Sequence, residues 1–402
     1  SSVNIPGGLS TDFRTWAKKS YFCNKNKRLW SMKKITAFIL LLLSLVSCNE
    51  KTAQDLFDES KTGVVLILNE YYYVMKLPNG NSIYFTGIDQ EGNLENLAFE
   101  YADIKNKRQI LTGTGFFIDK QGTIMTNRHV AQPSIDKTAV KESYNNMVAS
   151  IKAYYAAQMS ALSQEYQNLE SQKSDCYSYD FYGNAYENTE RLQEIASQQS
   201  ELEEQFNTLN SVRESMDDHV SLDELSITAV CEIGIAYDNT FVNSDRDFLD
   251  KNPCVVIKVS DKENTDLATI QLKNKKTPDE AHVFRTDGTI DENVIDKVKN
   301  MFSSHNDKIL HIDQQLYMIG YNAGPTLATT KQGIQVQMTS GKVTQLPDGD
   351  RVLYSIPTMQ GSSGSPVIDS KGRLVAVNFA KLRGSDNFNF GIPMNKIAAF
   401  LK

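Results

Sequence analysis

The sequence predicts an all-β double barrel interrupted by a helical hairpin. Two observations carry this. Short runs that alternate or stay apolar recur along most of the chain, at residues 64–68, 225–237, 254–259, 266–272, 316–319, 335–338, 352–356 and 374–379, with turn residues between them. One internal stretch, residues 139–216, changes to a seven-residue repeat. At 402 residues the chain has room for one large or two small domains plus extras.

The elements follow in order. Residues 1–31 show no clear periodicity and are read as an upstream segment outside the native fold. Met32-Lys33-Lys34, the apolar run 35–46 and then Ser47-Cys48 read as a signal peptide over 32–47, with a basic start, an apolar middle and a small residue before the cleavage point. Leu45-Val46-Ser47-Cys48 resembles a bacterial lipobox, which implies that Cys48 carries lipid and anchors the protein in the cell envelope. The apolar run is short for a bilayer span, which needs about 20 residues. Residues 48–60 are polar and read as a tether. A first barrel part covers 61–133. In it, residues 71–77 and 82–85 flank Pro78-Asn79-Gly80-Asn81 as a hairpin. Residues 86–108 read as a polar surface loop. Gly113 to Ile118 and Gly122 to Thr126 then read as strand, tight turn, strand, with His129 at the end of the second.

The insertion spans 134–220. Val148, Tyr155, Leu162 and Leu169 repeat every seven residues, as do Ile195, Leu202, Leu209 and Met216. Heptads on two consecutive helices, 139–170 and 187–216, predict an antiparallel coiled-coil hairpin. Its tip holds Tyr177, Tyr179, Phe181 and Tyr182, and clustered exposed aromatics mark contact surfaces for a protein partner or for self-association. The two seams can bury each other, so the hairpin is expected to be separable from the barrels. The rest of the first barrel and a connector occupy 221–300, and the second barrel occupies 301–402, ending in a short helix at 397–401.

The chemistry concentrates in Gly361-Ser362-Ser363-Gly364-Ser365-Pro366-Val367, between two apolar runs. A glycine here turns the backbone without a Cβ penalty. The N–H groups of Gly361 and Ser363 can then converge on one oxyanion. The plain alternative is a small-residue turn. A serine nucleophile needs a base, and the base needs an orienting carboxylate. Among five histidines, His129 is the one that closes a strand, and Asp266 opens a short strand at Asp266-Leu267-Ala268. His219, His282, His305 and His311 lie in polar contexts with no serine or cysteine motif.

These three segments resemble the chymotrypsin-fold serine peptidases, in particular the HtrA/Deg group and the related bacterial glutamyl endopeptidases. Thr126-Asn127-Arg128-His129-Val130, Asp266-Leu267-Ala268 and Gly361-Ser362-Ser363-Gly364-Ser365-Pro366 resemble the family's motifs in the family's order. Ile319-Gly320 with Gly324, Thr339 to Val343 and Phe390-Gly391-Ile392-Pro393 are further echoes. The resemblance implies two six-stranded β-barrels of the chymotrypsin fold, and a catalytic triad of His129, Asp266 and Ser363, with Ser363 chosen over Ser362 and Ser365. It also implies an oxyanion hole at Gly361 and Ser363, a substrate-binding edge at Asn378, Phe379 and Ala380, and a specificity pocket bordered by Thr358 and Asn378. Glutamyl endopeptidases carry a histidine where Asn378 stands, so acidic specificity is not implied, and small or medium apolar residues before the scissile bond are the expectation. Ser362 stands where trypsin-type zymogens have an aspartate, so activation by a freed N-terminus is not implied. No PDZ-like segment follows the second barrel, unlike in many HtrA relatives.

The remaining composition bounds partners and cofactors. A net charge of −7 and a pI near 5.4 argue against a nucleic-acid partner. No Cys-x-x-Cys or His-Glu-x-x-His spacing occurs, so neither a metal nor another cofactor is expected. Cys231 with Cys254 is a conceivable disulfide, and unpaired thiols are the equal alternative.

Overall fold

The structure is a computed structural model, and it describes residues 51–262, 265–287, 310–345, 348–381 and 389–402. The signal segment and Cys48 lie outside these residues. Residues 53–60 differ from the expected tether. They form a helix, α1 (Ala53–Ser60), because Leu56 is fully buried in the main core.

The first barrel contains β1 (Val64–Lys76), β2 (Ser82–Phe85), β3 (Gln109–Phe117), β4 (Thr123–Thr126), β5 (Ser226–Tyr237), β6 (Pro253–Val259) and β7 (Ala268–Leu272). The ring runs β1-β3-β4-β7-β6-β5 and closes through β5 on β1, all antiparallel, with β2 added beside the far end of β1. β1 is one strand of 13 residues rather than two. Its first half reads as an unbroken apolar run because both faces are covered. Val65 and Ile67 point into the barrel with Phe117, Ile124, Ile235 and Ile270. Val64, Leu66 and Leu68 point outward into a second cluster with Phe116, Ile319, Tyr321, Ile368 and Val377.

That second cluster joins the two barrels. The second barrel is β8 (Gln315–Gly320), β9 (Gln337–Gln345), β10 (Val352–Tyr354), β11 (Pro366–Asp369), β12 (Leu374–Lys381) and β13 (Asn389–Pro393). It closes in the order β8-β9-β10-β13-β12-β11 around Leu316, Met318, Val343, Tyr354 and Val367. The expected double barrel is therefore present, with the helical insertion between β4 and β5. The loop expected at 86–108 is mostly exposed, but Ala98 and Ile104 are buried beside Tyr72.

A short helix, α2 (Arg128–Ala131), follows β4, and the shaft of the insertion is α3 (Lys137–Gln172) and α4 (Thr189–Glu214). Asp136 starts α3 by accepting from the Thr138 and Ala139 N–H groups, and Asn188 starts α4 by accepting from Arg191 N–H. The helices run antiparallel: Gln172 meets Arg191, Glu170 meets Gln199 and Lys152 meets Met216. Leu169, Ile195, Leu192 and Leu202 pack together near the tip. The first turns of α3 behave differently. Val140, Tyr144 and Val148 are buried against Tyr73, Met75, Phe85 and Ile227 of the first barrel. Separability therefore fails at the base, because the barrel rather than α4 covers those positions.

Candidate active site

β4 ends at Thr126, Asn127 turns the chain, and α2 presents His129. Its Nδ1 lies 2.6 Å from Asp266 Oδ2, and its backbone N–H donates to Asp266 Oδ1 at 3.0 Å. Asn127 Nδ2 donates to the Asp266 carbonyl at 2.8 Å. The aspartate is thus held through its carbonyl and both carboxylate oxygens. The tautomer follows from the bond: with Asp266 accepting, Nδ1 carries the proton and Nε2 is the free acceptor. The pair is part-exposed, with 40% of the His129 side chain and 22% of the Asp266 side chain accessible. Asn69, fully buried in β1, braces α2 from beneath by donating to Val130 O at 2.8 Å and Ala131 O at 3.2 Å.

The serine loop crosses from the second barrel to the first. Gly361 has φ +97° and Gly364 has φ +88°, where side chains are strained. Neither has room for one: a Cβ on Gly364 would come 2.1 Å from Thr114 O and 2.4 Å from Thr126 Oγ1. This close approach seats the loop on the strand end that leads to His129. Thr114 N–H also donates to Ser363 O at 2.8 Å.

The three serines fare differently. Ser365 is fully buried, and its Oγ is without a partner. Ser362 is 2% exposed and its Oγ donates to Met359 O at 2.7 Å. Ser363 alone of the three is part-exposed. Its Oγ makes no hydrogen bond among the described residues, to His129 or otherwise. The backbone sorts just as clearly. Ser362 N–H donates to Met359 O, Gly364 N–H to Asn378 O and Ser365 N–H to Ser362 O, while Gly361 and Ser363 N–H are left without partners among the described residues.

The residues expected on the substrate side are more enclosed than the sequence suggests. Asn378 is 2% exposed, and its side chain donates to Ser362 O at 3.0 Å and accepts from Tyr354 OH at 2.7 Å. Burial holds the Tyr354 phenol well above its ordinary value, so it stays a donor. Thr358 is buried, donating to Asn389 Oδ1 at 2.7 Å, and Asn389 in turn donates to Ile356 O. Of these side chains Asn378 is the one that bonds the serine loop directly. β11 pairs with β12 only as far as Val377, and a register shift sits between Asn378 and Ala380. Phe379 packs near Phe390, with ring centroids 6.2 Å apart. Beyond Val377 the side of β12 away from β13 has no strand partner among the described residues.

Among the described residues no group of side chains could hold a metal ion. Cys176, Cys231 and Cys254 are free thiols, so the conceivable disulfide is absent. His219 and His311 are tied locally by backbone N–H bonds to Asp217 and Gln314, His282 packs edge-on against Phe284, and His305 lies outside the described residues. Sequence reasoning missed Asn69, Thr114 and Asn127. A signal for Thr114 existed: glycines on both sides of a polar residue inside an apolar strand mark a close backbone approach.

Residues 218–377 match the family model described as a trypsin-like peptidase domain, a span that includes Asp266 and Ser363 and leaves out His129. Among solved structures, the chain is similar to a serine endoprotease from Yersinia pestis at 11% identity and TM-score 0.38, covering 87% of this chain and 65% of that one. It is also similar to the active form of a protease from M. tuberculosis at 12% identity and TM-score 0.35, covering 86% and 82%. The chain thus spans just under two thirds of the length of the Yersinia structure. No curated protein matches the chain.

Proposed function

We propose that this protein is a serine endopeptidase of the HtrA-like type, exported and lipid-anchored through Cys48, acting on protein substrates at the cell envelope. The observation that carries the reading is the selective exposure of Ser363, whose N–H group and that of Gly361 have no partner among the described residues, in a loop seated on Thr114 and Thr126 at the strand end that leads to His129 and its partner Asp266. In this mechanism Ser363 Oγ attacks the scissile carbonyl carbon while its proton passes to His129 Nε2. Asp266 holds the ring and stabilises the imidazolium, and the Gly361 and Ser363 N–H groups bind the oxyanion. The C–N bond then breaks as His129 returns the proton to the leaving amine, and water hydrolyses the acyl-enzyme by the same route. The open side of β12 beyond Val377, at Phe379 and Ala380, supports docking of the substrate as an added strand.

The exposed aromatics at the hairpin tip favour a second reading, a chaperone-like binding lipoprotein that does not cleave. Phe181 is 98% and Tyr182 86% exposed. A fluorophosphonate probe separates the two. It should label the wild type and fail on Ser363→Ala, and peptide cleavage should vanish with the label. Equal labelling of wild type and Ser363→Ala, or none of either, overturns the peptidase reading.

A further inference from the structure

We infer that Thr114, a strand residue of the first barrel, is the positioning residue for the oxyanion site of the second. The inference rests on the peptidase reading above. Thr114 is fully buried, and all its polar atoms are engaged around the serine loop. Its Oγ1 donates to Gly361 O at 2.8 Å and accepts from Tyr321 N–H at 3.1 Å. Its backbone N–H donates to Ser363 O at 2.8 Å, and its carbonyl accepts from Thr126 Oγ1 at 2.7 Å.

The consequence follows from peptide planarity. The Gly361 carbonyl shares its plane with Ser362 N–H, which donates to Met359 O at 3.0 Å. The Ser363 carbonyl shares its plane with Gly364 N–H, which donates to Asn378 O at 2.8 Å. Both planes are therefore gripped at each end, once by the second barrel and once by Thr114. The plane between them is held at Ser362 O by Asn378 Nδ2 at 3.0 Å and by Ser365 N–H at 3.0 Å. The donors left over are Gly361 and Ser363 N–H: Ser363 N–H lies in this middle plane, flanked on both sides by planes that Thr114 holds, and Gly361 N–H lies in the plane just before the first of them, so Thr114 restricts the orientation of both donors through the adjoining planes. Gly361 is the more dependent of the two. At φ +97° and without a side chain it has many alternative orientations, and the Thr114 hydroxyl is the only side chain among the described residues that bonds its carbonyl. The Thr114 carbonyl also joins this loop to Thr126, three residues before His129, so one residue, through its backbone and its hydroxyl, ties base and oxyanion donors into a single frame.

The test uses the full-length protein carrying Thr114→Val, which keeps the shape and loses the hydroxyl, with Thr114→Ser as the rescue. Active sites are counted by end-point fluorophosphonate labelling, and turnover is expressed per labelled site, so misfolded protein does not enter the comparison. Thr114→Val should lower kcat on a peptide substrate by about tenfold to a hundredfold with KM within about twofold. A peptide aldehyde, whose adduct places an oxyanion between the same donors, should lose affinity by a similar factor. The pH at which activity rises should not move, since His129 and Asp266 are untouched. Thr114→Ser should recover most of both losses. If Thr114→Val does not fold, Thr114→Cys, a weaker donor of similar size, should show the same pattern at smaller amplitude. Turnover per site within twofold of wild type in the variant that folds, a rise in KM alone, or failure of serine to rescue overturns the inference while Ser363→Ala stays inactive. A wild type that the probe does not label overturns the peptidase reading and this inference together.

Discussion

At the scale of single residues, the serine loop separates side chains that the sequence leaves equivalent. Ser362, Ser363 and Ser365 share one six-residue motif, and only the family resemblance chose between them. The physical difference is burial: Ser365 is fully buried beside Gly320 at the end of β8, where its Oγ has no hydrogen-bond partner among the described residues. An unsatisfied buried hydroxyl costs about 1–3 kcal/mol, so its removal is cheap or favourable. Ser365→Ala should therefore leave unfolding free energy unchanged or raised by up to about 1 kcal/mol, with peptide turnover retained. Gly364→Ala should do the reverse. A Cβ at φ +88° and 2.1 Å from Thr114 O must push the loop off the first barrel, with a loss of more than about 2 kcal/mol and of most turnover. Urea unfolding and peptide cleavage on the two variants check both. A Gly364→Ala protein as stable and active as wild type would show that the loop is not seated on Thr114 and Thr126.

At the scale of elements, the heptads were legible and their partners were not. The seven-residue repeat placed both helices within two residues of their observed ends. It could not say that the first three turns of α3 face the barrel, because a valine or tyrosine on a seam looks the same whichever surface covers it. Val140, Tyr144 and Val148 are 0%, 7% and 5% exposed, and the surface they cover on β1, β2 and β5 is apolar. Each buried side chain of this kind stabilises by about 1.5–3 kcal/mol. Deleting residues 140–216 should accordingly give an insoluble or strongly destabilised protein. Deleting only 156–212, with a short Gly/Ser bridge, keeps the Lys152 contacts to Met216 and Asp218 and should leave a folded barrel that still reacts with a serine probe. Thermal unfolding and probe labelling of the two deletions decide the matter. Equal behaviour of both would mean that the base of α3 contributes nothing to the barrel. The shorter deletion also removes the aromatic tip, so its rate on folded proteins relative to short peptides reads whether the tip handles substrate.

At the scale of the whole molecule, the architecture was legible because a double barrel repeats one simple pattern, while the links between its parts were hidden. The tether reading of residues 53–60 failed on Leu56 and Phe57, two neighbouring apolar side chains in an otherwise polar stretch, of which Leu56 is buried in the core shared by both barrels and Phe57 packs partly buried against it. Thr114 carried a local signal in its flanking glycines, but the partners of its hydroxyl lie more than two hundred positions away in the chain, so what it approaches was not legible. The core of the first barrel carries a further consequence, in its pH response. Burial pushes the Cys254 thiol up to about 12 from 9.0. Burial, with Cys254 as a secondary cause, also pushes the Tyr237 phenol up to about 12 from 10.0. Both groups keep their protons in the folded protein and lose them in the unfolded chain once pH passes about 9 for the thiol and about 10 for the phenol. The native state then binds more protons than the unfolded one, so stability is fully present below pH 9 and falls as pH rises toward the folded values. The slope contributed by a single such group approaches about 1.4 kcal/mol per pH unit. Urea unfolding measured from pH 8 to pH 10.5 should show a flat region and then a decline that begins near pH 9. Cys254→Ala should lower stability throughout by leaving a small cavity, and it should also flatten the decline between pH 9 and 10. A decline of unchanged slope in that variant would mean that the Cys254 thiol ionises as easily in the folded barrel as outside it.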